Sequence, residues 1–78
     1  MDDEIIMYTL PLCPHCARAR RFFENRNISV TERNAMYPKN RKEKEQYSNF
    51  LSVPVVLVGD RVLVGFSKEE YEEAFKDY

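Results

Sequence analysis

The stretch IIMYTLPLCPHC, residues 5–16, decides the architecture of this chain. Its first half is short, rich in β-branched and aromatic side chains and stopped by a proline, so residues 5–10 predict a buried β-strand. Its second half holds two cysteines with two residues between them. The intervening Pro14 suits the first turn of a helix, where its missing N–H has no partner to lose. The stretch therefore predicts a strand that runs directly into a cysteine-bearing helix.

Apolar side chains recur at helical spacing beyond the first cysteine, with arginines between them. They are Cys16, Ala19, Phe22 and Phe23. The pattern predicts an amphipathic helix that begins near Cys13 or Pro14 and ends at the asparagines in positions 25 and 27. Residues 28–33 alternate imperfectly between apolar and polar, which predicts a second strand. Because this strand follows the helix so closely, the two strands form a βαβ unit with parallel pairing.

The rest of the chain adds a helix, a hairpin and a last helix. Residues 38–50 are charged and free of glycine, and predict a helix lying loosely on the sheet, with its apolar corner at Tyr47, Phe50 and Leu51. The β-branched runs at 55–58 and 61–64 flank a Gly-Asp turn and predict an antiparallel hairpin. In residues 67–70 the Ser67 hydroxyl and the Glu70 carboxylate have capping-box spacing, each accepting from the other's backbone N–H. The apolar face of the last helix is Tyr71, Ala74, Phe75 and Tyr78.

The predicted order is β-α-β-α-β-β-α, a three-layer α/β fold around a four-stranded mixed sheet that is mostly parallel and closed by one hairpin. At 78 residues the chain is expected to be one domain over 1–78. A net charge of -1 gives no overall basic face for nucleic acid. The N-terminal apolar run lacks the cationic start of a signal peptide and the about 20 apolar residues of a membrane span. We therefore expect a cytoplasmic protein. We also expect a monomer.

The two cysteines carry the candidate chemistry. In the cytoplasm, where thiols stay mostly reduced, such a pair indicates catalysis or metal binding. A helix mouth stabilises a thiolate through its unpaired N–H groups and dipole, so Cys13 is the expected nucleophile. Cys16 follows one turn later on the buried side and is the expected resolving thiol. His15 adds positive charge beside them; the alternative interpretation is an exposed histidine at a helix start with no effect on the thiols.

Two other uses of the cysteines are disfavoured. A disulfide that closes so short a ring removes little entropy from the unfolded chain, so a purely structural brace would stabilise little. A closed zinc site needs four ligands, whereas the chain offers two thiols and the histidine between them. We expect no metal held by a single chain, while a metal or cluster bridging two chains stays open.

At this point the chain resembles the glutaredoxins of the thioredoxin-fold superfamily. The residues that carry the likeness are the strand, the Cys-Pro-x-Cys run at the start of a helix, and Ser52-Val53-Pro54 before a β-branched strand. It extends from about residue 5 to residue 75. The resemblance implies a thioredoxin-like fold, a cis Val53–Pro54 bond facing the active cysteine, and a Val53 backbone that pairs with an extended peptide or with glutathione.

The resemblance also implies a site for glutathione as co-substrate, with no permanently bound cofactor. Arg41 falls where the family places a polar or basic side chain against the glycine carboxylate; an ordinary solvated arginine is the alternative. Gly65, Phe66 and Ser67 match a loop whose backbone and following helix start hold the γ-glutamyl carboxylate. The chain departs from the family's pattern at Val64, Ser67 and Leu10, where many members carry glycine, aspartate and lysine.

Two local likenesses bear on the reductant and the potential. The Gly65-Phe66 pair is similar to the glutaredoxin-like hydrogen donors of ribonucleotide reductase, which take electrons from thioredoxin reductase. The Cys-Pro-His-Cys run is similar to the active site of periplasmic thiol oxidases, which suggests a relatively oxidising couple. We place it in the upper half of the range from roughly -270 to -120 mV.

The leading hypothesis is a thiol-disulfide oxidoreductase that cycles between the Cys13/Cys16 dithiol and disulfide and reduces protein or glutathione mixed disulfides. Its expected partners are disulfide-containing proteins, with glutathione or thioredoxin reductase as electron source. The alternatives are a glutathione-dependent iron-sulfur module built on Cys13, a hydrogen donor to ribonucleotide reductase, and an adapter without redox activity.

Overall fold

The computed structural model describes residues 4–47 and 53–78, which form four strands and three helices. In chain order they are β1 (Ile6–Thr9), α1 (Pro14–Asn25), β2 (Thr31–Asn34), α2 (Pro38–Glu45), β3 (Val55–Val58), β4 (Arg61–Val64) and α3 (Lys68–Ala74). The predicted order is confirmed. Among these residues no helix is long and apolar enough to cross a membrane.

The sheet has the strand order β2-β1-β3-β4. β1 and β2 pair in parallel, as the βαβ unit predicts, whereas β1 with β3 and β3 with β4 are antiparallel. The expectation of a mostly parallel sheet is therefore wrong. The connection that runs from β2 through α2 to β3 starts and finishes at the same end of the sheet. Strand β3 therefore runs in the opposite direction to β2.

Helix α1 packs its predicted face onto the sheet, burying Cys16, Ala19, Phe22 and Phe23. The core on this side of the sheet also includes alternate residues of the strands, among them Met7 and Val56, because successive strand side chains point to opposite faces. Tyr71 and Phe75 of α3 fill the remaining space with edge-to-face rings; the centroids of Phe23 and Phe75 are 5.0 Å apart. This packing holds α1, and with it both cysteines, rigidly against the sheet.

Strand β2 begins later than the sequence predicts, at Thr31 rather than at residue 28. The end of α1 uses the preceding residues: the Ile28 N–H donates to the Phe23 carbonyl at 3.0 Å, and Asn27 turns the chain with a φ of +56°. Ile28 and Val30 are half-buried and pack against the core from outside the ladder. The alternation of apolar and polar residues therefore starts at residue 28, whereas pairing with β1 starts at Thr31.

Helix α2 ends at Glu45 rather than continuing to residue 50. The Tyr47 N–H closes a final turn on the Lys44 carbonyl at 2.8 Å, and the Tyr47 side chain is mostly outside the core, at 44% exposure. The buried residue of this helix is Lys44, so the predicted apolar corner is wrong at Tyr47. Phe50 and Leu51, the rest of that corner, lie outside the described residues.

Helix α2 covers the sheet face opposite α1, which completes the three layers. Tyr8 of β1 points to this side and donates its hydroxyl to Glu43 at 3.1 Å, and Arg33 of β2 donates to the same carboxylate at 2.8 Å. The Tyr8 ring is buried, and burial, followed by the hydrogen bond to Glu43, raises the pKa of its hydroxyl. A polar contact therefore attaches the short, highly charged α2 to the sheet.

The hairpin and α3 follow the prediction, with two differences. Gly59 supplies the positive φ of the turn, and Ser67 caps α3 by accepting from the Glu70 N–H at 3.4 Å. The Ser67 hydroxyl also donates to the Glu69 carboxylate at 3.4 Å, a contact that the predicted capping box does not include. Tyr78 lies beyond the last helical residue and is half exposed, so it is only peripheral to the apolar face.

Candidate active site

The strand register brings the predicted site segments to one end of the sheet. β1 finishes at Thr9 and leads into the cysteine loop, and β3 starts at Val55, paired with Tyr8. Val53 and Pro54 therefore lie beside the segment that follows β1. The Val55 and Val64 pairing places the loop after β4 at the same end. The turn after β2 also lies at this end, because its Ala35 N–H bonds to the Thr9 carbonyl at 2.7 Å. Four separate pieces of chain thus lie at the end of the sheet that leads to Cys13.

Cys13 is the N-cap of α1, and its sulfur accepts a hydrogen bond from the Cys16 N–H at 3.2 Å. Pro14 occupies the first helical position, so the cap takes the N–H group one turn in. The Cys13 side chain is half-buried and reachable from solvent, whereas Cys16 is 1% exposed. The sulfur that the helix N-terminus supports is therefore also the one that a partner molecule can reach.

Cys16 is an inert thiol in this state. Burial, followed by a hydrogen bond to Cys13, raises its pKa from 9.0 to about 12. At neutral pH Cys16 is therefore held as the neutral thiol. The two cysteines therefore differ in their surroundings. The Cys13 sulfur caps the helix and is accessible, whereas the Cys16 sulfur is buried behind it.

Leu12, immediately before Cys13, has two unusual properties that the sequence did not indicate. Its side chain is fully exposed, and its φ is +60°, a region that side chains other than glycine and asparagine rarely adopt. It borders a shallow cleft of about 570 Å³. The cleft is lined by Leu10, Pro11, Leu12, Cys13, Pro14, Ala17 and Arg20. An apolar surface therefore flanks Cys13 on the α1 side.

The loop after β4 is tied to the proline before β3. The Gly65 N–H donates to the Pro54 carbonyl at 2.7 Å, and the Tyr71 hydroxyl donates to the Gly65 carbonyl at 2.9 Å. The Val53–Pro54 bond is cis, the isomer that the resemblance implies, and Pro54 is buried while Val53 is half-buried. Gly65 itself has a φ of +78°, so a larger residue there would strain the turn.

The other residues predicted to contact glutathione differ in their exposure and packing. The Phe66 ring packs on Tyr71, with centroids 4.8 Å apart, so its side chain anchors the loop to the core. Ser67 is half-buried at the start of α3. Arg41 is exposed on α2, on the opposite layer from α1, and His15 is exposed in the first turn of α1. Ser52, which completed the Ser-Val-Pro motif, lies outside the described residues.

A polar network beneath the cysteine helix was not anticipated. Arg20 of α1 donates through Nε to Glu32 of β2 at 3.1 Å, and the buried Thr9 hydroxyl donates to the same carboxylate at 2.9 Å. The Arg20 hydrogen bond, aided by that of Thr9, lowers the pKa of Glu32. The available signal was the four-residue spacing from Cys16 to Arg20, which places both on one helix face.

The metal-binding capacity of the described residues is limited. Residues 4–47 and 53–78 contain no group of three or more His, Cys, Asp or Glu side chains placed to hold a metal ion. A cluster shared by two chains through Cys13 and glutathione stays a prediction from the sequence.

Together, a three-layer α/β fold and a helix that starts at the first of two cysteines define a thioredoxin-like redox protein. A scan against protein-family models matches the glutaredoxin model over residues 5–63. The chain belongs to the glutaredoxin family, as the resemblance indicated.

Two curated proteins show the extent of the sequence similarity. A glutaredoxin-like 8.6 kDa protein in the rubredoxin operon of Clostridium pasteurianum is 31% identical over 70 residues, which cover 88% of this chain and 93% of that protein. A glutaredoxin of Neisseria meningitidis is 32% identical over 65 residues, or 81% of this chain and 76% of the other. The match spans nearly the full domain in both cases.

Solved structures agree with the fold. The glutaredoxin of Archaeoglobus fulgidus superposes with a TM-score of 0.80 at 27% identity, covering 96% of this chain and 88% of its own. The glutaredoxin of Brucella melitensis gives a TM-score of 0.68 at 28% identity, covering 90% and 77%. The thioredoxin-like fold with its four-stranded mixed sheet is therefore established for this chain.

Proposed function

We propose that this protein is a dithiol oxidoreductase that reduces disulfides, with Cys13 as nucleophile and Cys16 as resolving thiol. The single observation that carries the proposal is the arrangement of the pair. The Cys13 sulfur caps the helix and accepts from the Cys16 N–H at 3.2 Å, and the Cys16 thiol is buried directly behind it. One thiol is presented to substrates, and the other responds only to what becomes attached to the first.

The reaction has two balanced steps. The Cys13 thiolate attacks a substrate disulfide, forming a mixed disulfide and releasing one substrate sulfur as a thiolate, which takes a proton from water. Cys16 then loses its proton to solvent and attacks the Cys13 sulfur, breaking the mixed disulfide and releasing the second substrate sulfur. The substrate gains two electrons and the Cys13/Cys16 pair loses two. The helix N-terminus favours the anionic form of Cys13 before the first attack.

We propose glutathione as a co-substrate that lies between the loop after β4 and the cis proline. The observation in favour is the pair of hydrogen bonds that joins Pro54, Gly65 and Tyr71 at the sheet end where Cys13 lies. Gly65 sets the turn of this loop, the backbone N–H groups of Phe66 and Ser67 would serve one carboxylate, and Arg41 would serve the other carboxylate of the tripeptide. The Phe66 side chain packs inward, so its contribution to binding would come from its backbone.

The physiological reductant is the point on which two versions of the function differ. In one, glutathione returns the disulfide to the dithiol; in the other, thioredoxin reductase does so and the protein donates electrons to a reductase such as ribonucleotide reductase. The Gly65-Phe66 sequence favours the second version, and the hydrogen bonds that hold the loop beside Pro54 favour the first. Both use the same cysteine pair, in the cytoplasm, on disulfide-containing proteins.

Steady-state reduction of a glutathionylated peptide tests this proposal. The wild-type protein is assayed with glutathione and glutathione reductase, and separately with thioredoxin reductase, at equal protein concentration. We expect Cys13→Ser to abolish turnover with either electron source, because the remaining thiol, that of Cys16, is buried. Cys16→Ser should retain turnover of the glutathionylated peptide but lose that of a protein disulfide. Undiminished turnover in Cys13→Ser would end the proposal, as would wild-type inactivity with both electron sources.

A further inference from the structure

Arg20 lies one turn beyond the resolving cysteine on the same face of α1. A separation of four residues brings side chains together along a helix, and the Arg20 side chain borders the cleft that contains Cys13. The charge of the guanidinium opposes the rise in the Cys16 pKa. The pKa of Arg20 is itself raised, first by the hydrogen bond to Glu32 and to a smaller extent by Cys16. The resolving thiol therefore has a cation beside it.

The Arg20 side chain does not move freely in solvent. It makes two hydrogen bonds to Glu32 of β2, one of them from Nε to Oε1 at 3.1 Å. Glu32 is fixed in turn by the Thr9 hydroxyl at 2.9 Å, and Thr9 is buried at the end of β1. A guanidinium that donates two hydrogen bonds to one carboxylate is held in a single orientation. The sheet thus sets the position of this cation relative to the cysteine helix.

The other groups around Cys16 do not supply positive charge. Cys13 hydrogen bonds to it and disfavours its thiolate. Tyr71 of α3 interacts with it electrostatically as a group that ionises to an anion, and the Leu10 backbone contributes a hydrogen bond that favours the thiolate. Glu32 carries the opposite charge and is the hydrogen-bond partner of Arg20. Among the described neighbours, Arg20 is the cation that acts on the Cys16 sulfur.

We infer that Arg20, held in place by Glu32 and Thr9, is a positioning residue for the resolving step: it stabilises the Cys16 thiolate as that sulfur attacks the mixed disulfide on Cys13. This inference rests on the proposed function and adds to it an assignment of which side chain assists the second half-reaction. The first half-reaction, attack by Cys13, needs no contribution from Arg20, because Cys13 is supported by the N-terminus of α1.

The test follows the two half-reactions separately in one stopped-flow trace. Reduced protein is mixed with one equivalent of dithiodipyridine, an uncharged disulfide that Arg20 does not attract. Cys13 attack releases the first pyridinethione and Cys16 attack releases the second, with the Cys16 proton going to water. The first phase depends on the concentrations of the two reactants, and the second is unimolecular. Each phase is read by absorbance.

Three variants isolate the cation. Arg20→Gln removes the charge, Arg20→Lys keeps it, and Arg18→Gln makes the same charge change on the opposite, exposed face of α1. We expect Arg20→Gln to slow the second phase about three- to tenfold, since thiolate population falls faster than nucleophilicity rises. The first phase should stay within about twofold, a margin for weak long-range electrostatics. Arg20→Lys should recover most of the loss, and Arg18→Gln should match wild type in both phases.

The outcomes separate the inference from the function on which it rests. If the wild-type protein releases one pyridinethione or none, the dithiol function itself fails. If it releases two and Arg20→Gln resolves at the wild-type rate, the function stands and the role of Arg20 is overturned. Equal slowing of both phases in Arg20→Gln, or an equal loss in Arg18→Gln, also overturns it. Circular dichroism and urea unfolding of each variant establish that the compared proteins are folded.

Discussion

The Gly65 N–H donates a 2.7 Å hydrogen bond to the carbonyl of Pro54, and this bond joins two loops that are adjacent in space but eleven residues apart in sequence. Tyr71 completes the connection by donating its hydroxyl to the Gly65 carbonyl at 2.9 Å. The loop after β4 is therefore held from both sides, by the proline that precedes β3 and by the helix that follows the loop. Its position next to the cysteine helix is a property of the folded core.

The Tyr71 hydroxyl is expected to stabilise that loop measurably. Tyr71→Phe keeps the ring in the aromatic core but leaves the Gly65 carbonyl without its donor, which should lower the free energy of unfolding by about 1 to 2 kcal/mol. Urea unfolding of the reduced protein measures this. Tyr78→Phe is the matched control, because Tyr78 is half exposed and should change stability little. Equal stability of Tyr71→Phe and wild type would show that the hydrogen bond contributes nothing net.

The backbone of Leu12 is expected to be strained. Its φ of +60° is costly for leucine and free of strain for glycine, so Leu12→Gly should raise the free energy of unfolding by about 0.5 to 1 kcal/mol. Asn27→Gly is the control: Asn27 has a φ of +56°, but asparagine tolerates this region, so the gain should be near zero. Urea denaturation compares the two. A Leu12→Gly protein less stable than wild type contradicts the assignment of strain.

Alkaline pH should destabilise the reduced protein more than the oxidised one. Burial raises the pKa of Cys16 from 9.0 to about 12, so above pH 9 the unfolded chain loses this proton while the folded chain keeps it. The stabilisation is complete below pH 9 and is lost as pH rises toward 12, with a slope of at most about 1.4 kcal/mol per pH unit for this group. Tyr71, whose pKa burial also raises, adds to the loss in both redox states.

Urea unfolding at a series of pH values from 8 to 10.5 measures that difference. The oxidised protein serves as control, because Cys16 in a disulfide has no proton to lose. We expect the gap in stability between the reduced and the oxidised protein to change with pH, the reduced form falling more steeply. Parallel curves for the two redox states would contradict the burial of an ionisable Cys16 thiol.

Acid should remove a contribution from Glu32. Its hydrogen bond from Arg20, with that from Thr9, lowers its pKa below 4.5, so the folded state holds fewer protons there than the unfolded state. The stabilisation is present above pH 4.5 and disappears as pH falls through the lowered pKa. Glu32→Gln, which cannot titrate, should lose less stability than wild type between pH 6 and pH 3. Glu69→Gln, at an exposed position on α3, is the comparison and should follow the wild-type curve.

The sequence predicts the periodic parts of this fold well. Ala19, Phe22 and Phe23 repeat at helical spacing, and the Val-rich runs around Gly59 and Asp60 allow only a hairpin, so both elements form where predicted. The sequence-based prediction fails where the pattern around a residue suggests one element but the tertiary packing uses that residue in another way. Ile28 and Val30 look like strand residues but pack beside the ladder, because the N–H of Ile28 is used to end α1.

The candidate site likewise contains residues that the sequence predicts and residues that it does not. Cys13 and Cys16 are recognisable because their spacing alone puts one sulfur at a helix mouth and the other one turn inside. The Arg20 and Glu32 pair is not, because their contact spans a helix and a strand and depends on the register of β1 with β2. The positive φ of Leu12 has no sequence signal, since leucine is a residue that disfavours it.

The division of labour between the two sulfurs is tested most directly by intact-mass analysis of the reduced protein after exposure to one equivalent of glutathione disulfide. The account predicts that wild type gains an internal disulfide and retains no glutathione. Cys16→Ser should retain one glutathione, located on Cys13 by peptide mapping, and Cys13→Ser should retain none over the same interval, because Cys16 is buried and protonated. Glutathione attached to Cys16 in Cys13→Ser at a comparable rate, or no adduct in Cys16→Ser, would contradict the account.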